Sequence, residues 1–319
     1  MLRLGLCCIF REAPIKFRNT TAKVVARLTP RERAVKLADL CRQNAEALRQ
    51  AVTFCAENKI HCFRVNSQIL PLKTHPEFTY QLTDLPDGDA IRDSFEAVGK
   101  QAAENKVRLT MHPDQFVVLN SPRESVVRGS IAELEYQGEF AQWTGVDVIN
   151  IHGGGAYGDK QAALTRLIKN VPRLSRAVRE RLTVENDDRT YTPEDLLPVC
   201  DACAIPLVYD VHHHRCNPDS WSIETATAKA LETWGTRPPL FHISTPRDGW
   251  DGVNPRPHHD FIDPADIPDC WKELDMYVEV EAKAKELAVL QLTSDSAYFL
   301  SPDAFRNFPC SQFSTRRAK

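Results

Sequence analysis

Eight short apolar runs rich in β-branched residues alternate along the chain with longer stretches of helical periodicity, and no other feature limits the fold so tightly. Parallel strands cannot be joined by a tight turn, so a strand-helix alternation of this kind implies a parallel sheet with crossover helices. The strand candidates are Arg3–Ile9, Cys62–Val65, Val107–Met111, Asp147–Ile151, Leu182–Glu185, Pro206–Asp210, Leu240–Ile243 and Tyr277–Glu281. Between them lie amphipathic segments at Glu32–Asn58, Ala90–Asn105, Ser125–Trp143, Gln161–Arg181, Pro193–Cys203, Ser222–Trp234 and Ala282–Leu290. Eight strands with seven such helical segments in 319 residues predict a single (β/α)8 TIM barrel of class α/β over residues 1–291. An open doubly wound sheet would carry a Gly-rich phosphate turn after its first strand, and Leu6-Cys7-Cys8-Ile9 supplies none. Residues 292–319 lack periodic apolar pattern and are expected to form a poorly ordered C-terminal tail.

Composition excludes several classes. Hydrophobic residues make up 42% and charged residues 26%, as in ordinary globular proteins, and no apolar run reaches membrane-spanning length. The opening MLRLGLCCIF runs into Arg11 and Glu12 and not into a small-residue cleavage site, so an intracellular protein is expected. The ten cysteines are scattered, several inside strand-like runs, which fits reduced and mostly buried thiols. The lone CxxC, Cys200 to Cys203, has no second pair to make a zinc or redox motif. The formal net charge of −3 does not decide for or against nucleic acid, because metal-binding carboxylates count as negative yet are neutralised when occupied.

In a barrel of this kind the reacting groups stand at the C-terminal ends of the strands, and there the polar residues collect. Strand three ends in His112, strand four in His152, and strand five in Glu185-Asn186. Strand six leads into Asp210-Val211-His212-His213-His214, strand seven contains His242, and strand eight reaches Glu281. The loop after strand two adds His75, and the segment after strand seven adds His258-His259-Asp260. A single strand-end histidine is more often a satisfied core residue, as His61 at a strand start is expected to be. About seven of ten histidines on one rim is a different matter. Imidazole and carboxylate without thiolate suit zinc, manganese or iron, and the ligand candidates outnumber what one ion can hold. Two or three divalent ions are implied, a set suited to phosphate-ester hydrolysis, in which they generate hydroxide, neutralise the phosphate and stabilise the departing oxygen.

Eight segments in order carry a resemblance. They are Arg64-Val-Asn-Ser-Gln-Ile-Leu-Pro-Leu-Lys-Thr-His75, Met111-His-Pro-Asp-Gln-Phe116, Ile151-His-Gly-Gly-Gly-Ala-Tyr-Gly158, Thr183-Val-Glu-Asn-Asp-Asp188, Asp210-Val-His-His-His214, His242-Ile-Ser-Thr-Pro246, His258-His-Asp-Phe261 and Glu281-Ala-Lys283. Over roughly residues 1–290 the chain resembles the UV damage endonucleases, a DNA repair family related to the endonuclease IV type of abasic-site nuclease. The resemblance implies a metal-dependent endonuclease that acts on damaged double-stranded DNA and cuts the phosphodiester immediately 5′ of a UV photoproduct, leaving a 3′-hydroxyl, with abasic sites as a further substrate. It implies three divalent ions, Mn2+ before Zn2+. His112, His152 and Glu185 would hold the first; Glu185, Asp210, His242 and Glu281 the second; and His213, His258 and Asp260 the third, with His75 close by. Glu185 would bridge, and Glu185, His75 and His242 are the catalytic candidates. Gln115 and Phe116 would occupy the gap left when the lesion is flipped out of the stack. A monomer without membrane attachment, in the cytoplasm with the nucleoid, is expected.

Two positions depart from the family pattern. Leu240 stands where a near-site lysine is usual, and Leu6 where an aromatic is frequent, so neither role carries over. The competing readings are a sugar isomerase or epimerase on a similar metal-ligating barrel, and a lesion-binding protein without catalysis. Arg11, Lys16, Arg18, Lys160 and Arg189 are loop cations that could contact phosphates, but solvated surface charge is the default reading for each, and none is assigned to the site.

Overall fold

The computed structural model describes residues 1–295. Eight parallel strands form the barrel: β1 (Leu2–Cys7), β2 (Cys62–Val65), β3 (Arg108–Met111), β4 (Val148–His152), β5 (Leu182–Glu185), β6 (Leu207–Val208), β7 (Leu240–Ile243) and β8 (Met276–Val280). Their hydrogen-bonded order is β6-β5-β4-β3-β2-β1-β8-β7. The ring closes between β6 and β7 through the parallel bridge of Asp210 with His242, where the His242 amide donates to the Tyr209 carbonyl at 3.0 Å. The expected TIM barrel is therefore the observed fold.

The strands are buried on both faces, which is why they read as continuous apolar runs in place of an alternating pattern. The largest crossover helix, Pro30–Glu57, starts where local chemistry dictates. Thr29 and Glu32 form a reciprocal capping box, and Pro30 takes the first helical position, where its missing N–H costs nothing. Its inner face buries Leu37, Cys41, Leu48, Val52 and Cys55 against the barrel, each such side chain contributing roughly 1.5–3 kcal/mol when it is a Leu or Val.

Several boundaries differ from the sequence ranges. β1 stops two residues early because Cys8 adopts φ 66°, a left-handed turn that ends the extended chain. β6 ends at Val208 and not Asp210, because Asp210 caps the short helix Val211–Cys216 by accepting the His213 amide at 2.8 Å on Oδ1. The helix expected over Gln161–Arg181 is two helices, Lys160–Asn170 and Arg176–Arg179, separated by a 3₁₀ turn at Val171–Arg173 that contains Pro172. The last helix begins at Glu286 and not Ala282, and it runs to Asp295, so residues 292–295 of the expected tail continue a helix. The remainder of that tail lies outside the described residues.

Cys7, Cys41, Cys55, Cys62 and Cys200 are buried free thiols, as expected. Among the described residues, no helix is long and apolar enough to cross a membrane.

Candidate metal centre

Strand ends β3 to β8 converge on Glu185, the last residue of β5, which is 1% exposed. Its two carboxylate oxygens face different partners. Oε2 lies 3.1 Å from His112 Nε2 and accepts from Asn150 Nδ2 at 2.5 Å. Oε1 lies 3.1 Å from His242 Nδ1 and 3.3 Å from His213 Nδ1. Among the described residues, two groups have ligand atoms close enough to share an ion, within 4.8 Å of one another: His112, His152 and Glu185, and Glu185, Asp210 and His213. Glu185 belongs to both, which is the geometry of a bridging carboxylate.

The supporting contacts prepare these atoms as ligands. His112 Nδ1 is 3.0 Å from the Pro113 carbonyl, an acceptor that places the proton on Nδ1 and leaves Nε2 bare toward Glu185. His152 sits with its ring 4.9 Å from that of His112, and its buried Nδ1 has no hydrogen-bond partner. Burial, only partly opposed by the Glu185 charge, lowers its pKa and keeps the imidazole neutral. Asp210 is wholly buried. Asn186 clasps its backbone, donating from Nδ2 to the Asp210 carbonyl at 2.8 Å and accepting the Asp210 amide at 3.0 Å. Asp210 Oδ2 has no hydrogen-bond partner and lies 3.6 Å from His213 Nδ1.

On the β7–β8 side, His242 is fully buried, with Nδ1 3.5 Å from Glu281 Oε1 and without a hydrogen-bond partner. Arg64, on β2, donates from Nη1 to Glu281 Oε1 at 2.6 Å and from Nε to Glu279 Oε2 at 2.6 Å. His258 Nδ1 lies 3.8 Å from Glu281 Oε2 and 3.3 Å from the Ser244 hydroxyl.

The electrostatics follow. Burial would raise the Glu185 carboxyl, but the surrounding imidazoles of His242, His152, His112 and His213 hold it well below the usual carboxylate range. Glu281 is likewise opposed by burial and held low, above all by Arg64. Burial would lower His213 and His242, yet Asp210 pushes the former well up and Glu185 pushes the latter up to about 10. Buried atoms on Asp210, His152 and His242 that find no hydrogen-bond partner among the described residues, together with carboxylates kept ionised in a largely buried cluster, fit divalent cations.

The structure thus brings together His112, His152, Glu185, Asp210, His213, His242 and Glu281, with His258 at the edge. His213 stands with Glu185 and Asp210, and its ring is 6.3 Å from that of His258. Asp260 is not drawn into the cluster: its side chain is half exposed and 3.7 Å from Arg11 Nη1. His75 is also elsewhere, stacked on Phe78 at 5.0 Å and accepting the Glu77 amide at 3.2 Å. It lines a cavity of about 450 Å3 together with Lys73, Glu133 and Phe116. Gln115 and Phe116 lie exposed in the loop after β3, Phe116 at 79%. Leu240 and Leu6 are fully buried in the apolar core, so neither reaches the site surface. Sequence reasoning missed three contributors, Arg64, Asn150 and Glu279. The alternating Glu279-Val280-Glu281 was the available signal, since period two turns both acids to the same face.

A closed parallel barrel that gathers imidazoles and carboxylates at its strand ends defines a TIM-barrel protein with a candidate metal centre. Within that class the chain belongs to the UV-endonuclease UvdE family, whose model matches residues 2–302. It is 33% identical over 308 residues to a UV DNA damage endonuclease of Deinococcus radiodurans, covering 91% of this chain and 94% of that protein. The crystal structure of SacUVDE superposes with a TM-score of 0.81 at 27% identity, over 92% of this chain and 98% of the other. Endonuclease IV from Thermus thermophilus, at 16% identity and a TM-score of 0.55, shares the fold over 91% of this chain and 98% of its own. Membership in an endonuclease family sets aside the isomerase and epimerase alternative.

Proposed function

We propose that this chain is a metal-dependent DNA repair endonuclease that hydrolyses the phosphodiester immediately 5′ of a UV photoproduct and leaves a 3′-hydroxyl, with abasic sites as a second substrate. The observation that carries the reading is Glu185, whose two oxygens address two separate histidine groups as a bridging ligand would. His112, His152 and Glu185 would hold one ion; Glu185, Asp210, His242 and Glu281 a second; His213 and His258 a third, with Asp260 joining only if it leaves Arg11. Mn2+ is the preferred ion and Zn2+ the alternative. Such ions supply Lewis acidity toward the phosphodiester and activate water at neutral pH.

The residues of the chain bind and orient. Gln115 and Phe116 project from the rim and suit insertion into the base stack in place of a flipped lesion, where an aromatic ring offsets part of an unstacking cost of a few kcal/mol. Beside Glu281 and His258 lies a cavity of about 410 Å3 lined by Arg256, Lys283 and Lys285, a cationic seat for backbone phosphates. The partner is damaged double-stranded DNA, the chain acts as a monomer, and it works in the cytoplasm with the nucleoid.

The test is incubation with Mn2+ and a labelled duplex bearing one pyrimidine dimer, beside an undamaged duplex, an abasic duplex and the Glu185→Gln variant. Metal-dependent incision just 5′ of the dimer, absent from undamaged DNA and from the variant, is expected. Tight binding to damaged DNA without cleavage under any divalent ion would instead establish a lesion-binding protein.

A further inference from the structure

Beneath the ligand cluster lies a second, wholly buried polar layer. Glu279, on β8, is 1% exposed and is the register partner of His242 on β7. Its Oε2 lies 3.1 Å from His242 Nε2 and accepts from Arg64 Nε at 2.6 Å; Arg64 Nη2 also contacts it. Its Oε1 accepts from the Thr110 hydroxyl and from the Cys62 thiol, the latter at 3.6 Å. Room for this side chain is left by Gly5 on β1, where a Cβ would fall 3.1 Å from Glu279 Cγ and 2.9 Å from Cys62 Cβ.

Without an ion the raised pKa keeps both His242 nitrogens protonated, but a metal ligand must be the neutral ring, and for that ring the hydrogen-bond bookkeeping has two solutions. Nε2 faces an obligate acceptor, Glu279, and an obligate donor, Arg64 Nη2, 2.9 Å away. If Nε2 carries the proton, it donates to Glu279, and Nδ1 presents a lone pair to Glu185 and Glu281. If Nε2 accepts from Arg64, Nδ1 carries the proton and blocks that position. Arg64 is already satisfied by Glu279 and Glu281, whereas Nδ1 has no hydrogen-bond partner. Both facts favour the first solution.

We propose that Glu279 is a positioning residue for the candidate metal centre: its carboxylate accepts a hydrogen bond from Nε2–H of His242 and so holds Nδ1 bare as the ligand atom between Glu185 and Glu281. Through the shared Arg64 guanidinium it also fixes where the Glu281 carboxylate stands. This inference rests on the metal reading of the site. A carboxylate behind a ligating histidine orients the ring and raises its basicity, and losing it typically weakens metal binding about 10–100-fold.

The experiment compares Mn2+ titrations of metal-stripped wild type, Glu279→Leu and Glu279→Gln by calorimetry, with 15N-histidine NMR of the Zn2+-loaded proteins. Glu279→Gln keeps an acceptor for Nε2–H but loses the charge, and Glu279→Leu loses both. The expected result is an Nε2–H tautomer for His242 in wild type, an affinity loss of about 10–100-fold in Glu279→Leu, and recovery of most of it in Glu279→Gln. Should Glu279→Leu fail to fold with Arg64 unpaired, the wild-type and Glu279→Gln spectra still decide. An Nδ1–H tautomer in the loaded wild type, equal losses in the two variants, or no loss in either would overturn the proposal. Wild type that binds no divalent ion would overturn the metal reading itself, and this inference with it.

Discussion

Asn150 shows how finely single side chains are set at this rim. Its Nδ2 donates to Glu185 Oε2, while its Oδ1 accepts from the Thr183 hydroxyl at 2.9 Å, so the amide cannot rotate without losing a partner. Asn150→Ala should therefore lower metal-dependent incision about 10–100-fold by freeing Glu185, with lesion binding in the absence of catalysis unchanged; a split between single-turnover rate and DNA affinity measures this. Phe116 is the opposite case. At 79% exposure it contributes little to the fold, so Phe116→Ala should leave stability within about 0.5 kcal/mol while reducing preference for damaged over intact duplex. Competition binding together with a denaturant melt checks both halves. Most candidate ligands were legible at this scale because His112, His152, Glu185, Asp210 and Glu281 stand at or just past strand ends, which in a barrel share one face. Glu279, Arg64 and Asn150 were not, because they lie within strands, where a polar residue reveals nothing of its partner until register is known. Asp260 and His75 misled for the reverse reason: each lies in a loop, whose path no periodicity specifies.

At the scale of elements, the departures from the sequence ranges trace to backbone groups that find better partners than the next helical turn. After β8 the chain does not enter a helix at Ala282. The Lys283 amide donates to the His259 carbonyl at 3.0 Å and the Ala284 amide to that of Asp260 at 2.9 Å, and Lys285 turns through φ 56°. Only then does the helix begin, with Glu286, whose carboxylate accepts the amides of Arg11, Glu12 and Ala13 at 2.7, 2.7 and 3.0 Å. That carboxylate holds in place the loop that follows β1. Burial would raise its pKa, but the three backbone donors depress it below the usual range. A depressed acid contributes stability that is fully present above its unfolded-state pKa and is lost as pH falls through the folded one. Glu286→Gln should thus cost about 1–3 kcal/mol near neutral pH, and its deficit relative to wild type should shrink as the solution is acidified through the carboxylate range. Urea titrations across that range measure it, and a deficit independent of pH would mean that packing, not charge, holds the loop. The broken helix at Pro172 was legible in principle, since a proline removes one helical hydrogen bond and crowds the preceding turn. The amphipathic pattern on either side of it is continuous and hid the break.

For the whole molecule, the weak point of the ring and the candidate metal centre coincide. Seven of the eight strand junctions are laddered, whereas β6 and β7 meet through the one bridge at Asp210 and His242, beside the two-residue strand β6. Both residues of that bridge are candidate ligands, and with Glu185 they would tie β5, β6 and β7 to common ions. Ions that bind the folded chain and not the unfolded one stabilise it by mass action, by about 2.7 kcal/mol at a hundredfold excess over Kd. Chelation should therefore lower the melting temperature, and the loss should be local before it is global. In hydrogen exchange, the His242 amide, which spans the seam to Tyr209, should lose protection on metal removal while the β1–β8 ladder keeps its own. Uniform loss of protection around the ring would show that the ions act on the barrel as a whole. Unchanged protection would show that the seam is held by the buried Tyr209–His214–Asp219 network behind it, in which the Tyr209 hydroxyl lies 2.7 Å from His214 Nδ1 and His214 Nε2 lies 2.9 Å from Asp219 Oδ1. The His214→Leu variant separates the two, because it removes that network without touching a candidate ligand. If metal binding closes the seam, this variant should be less stable overall yet keep the metal-dependent protection of His242.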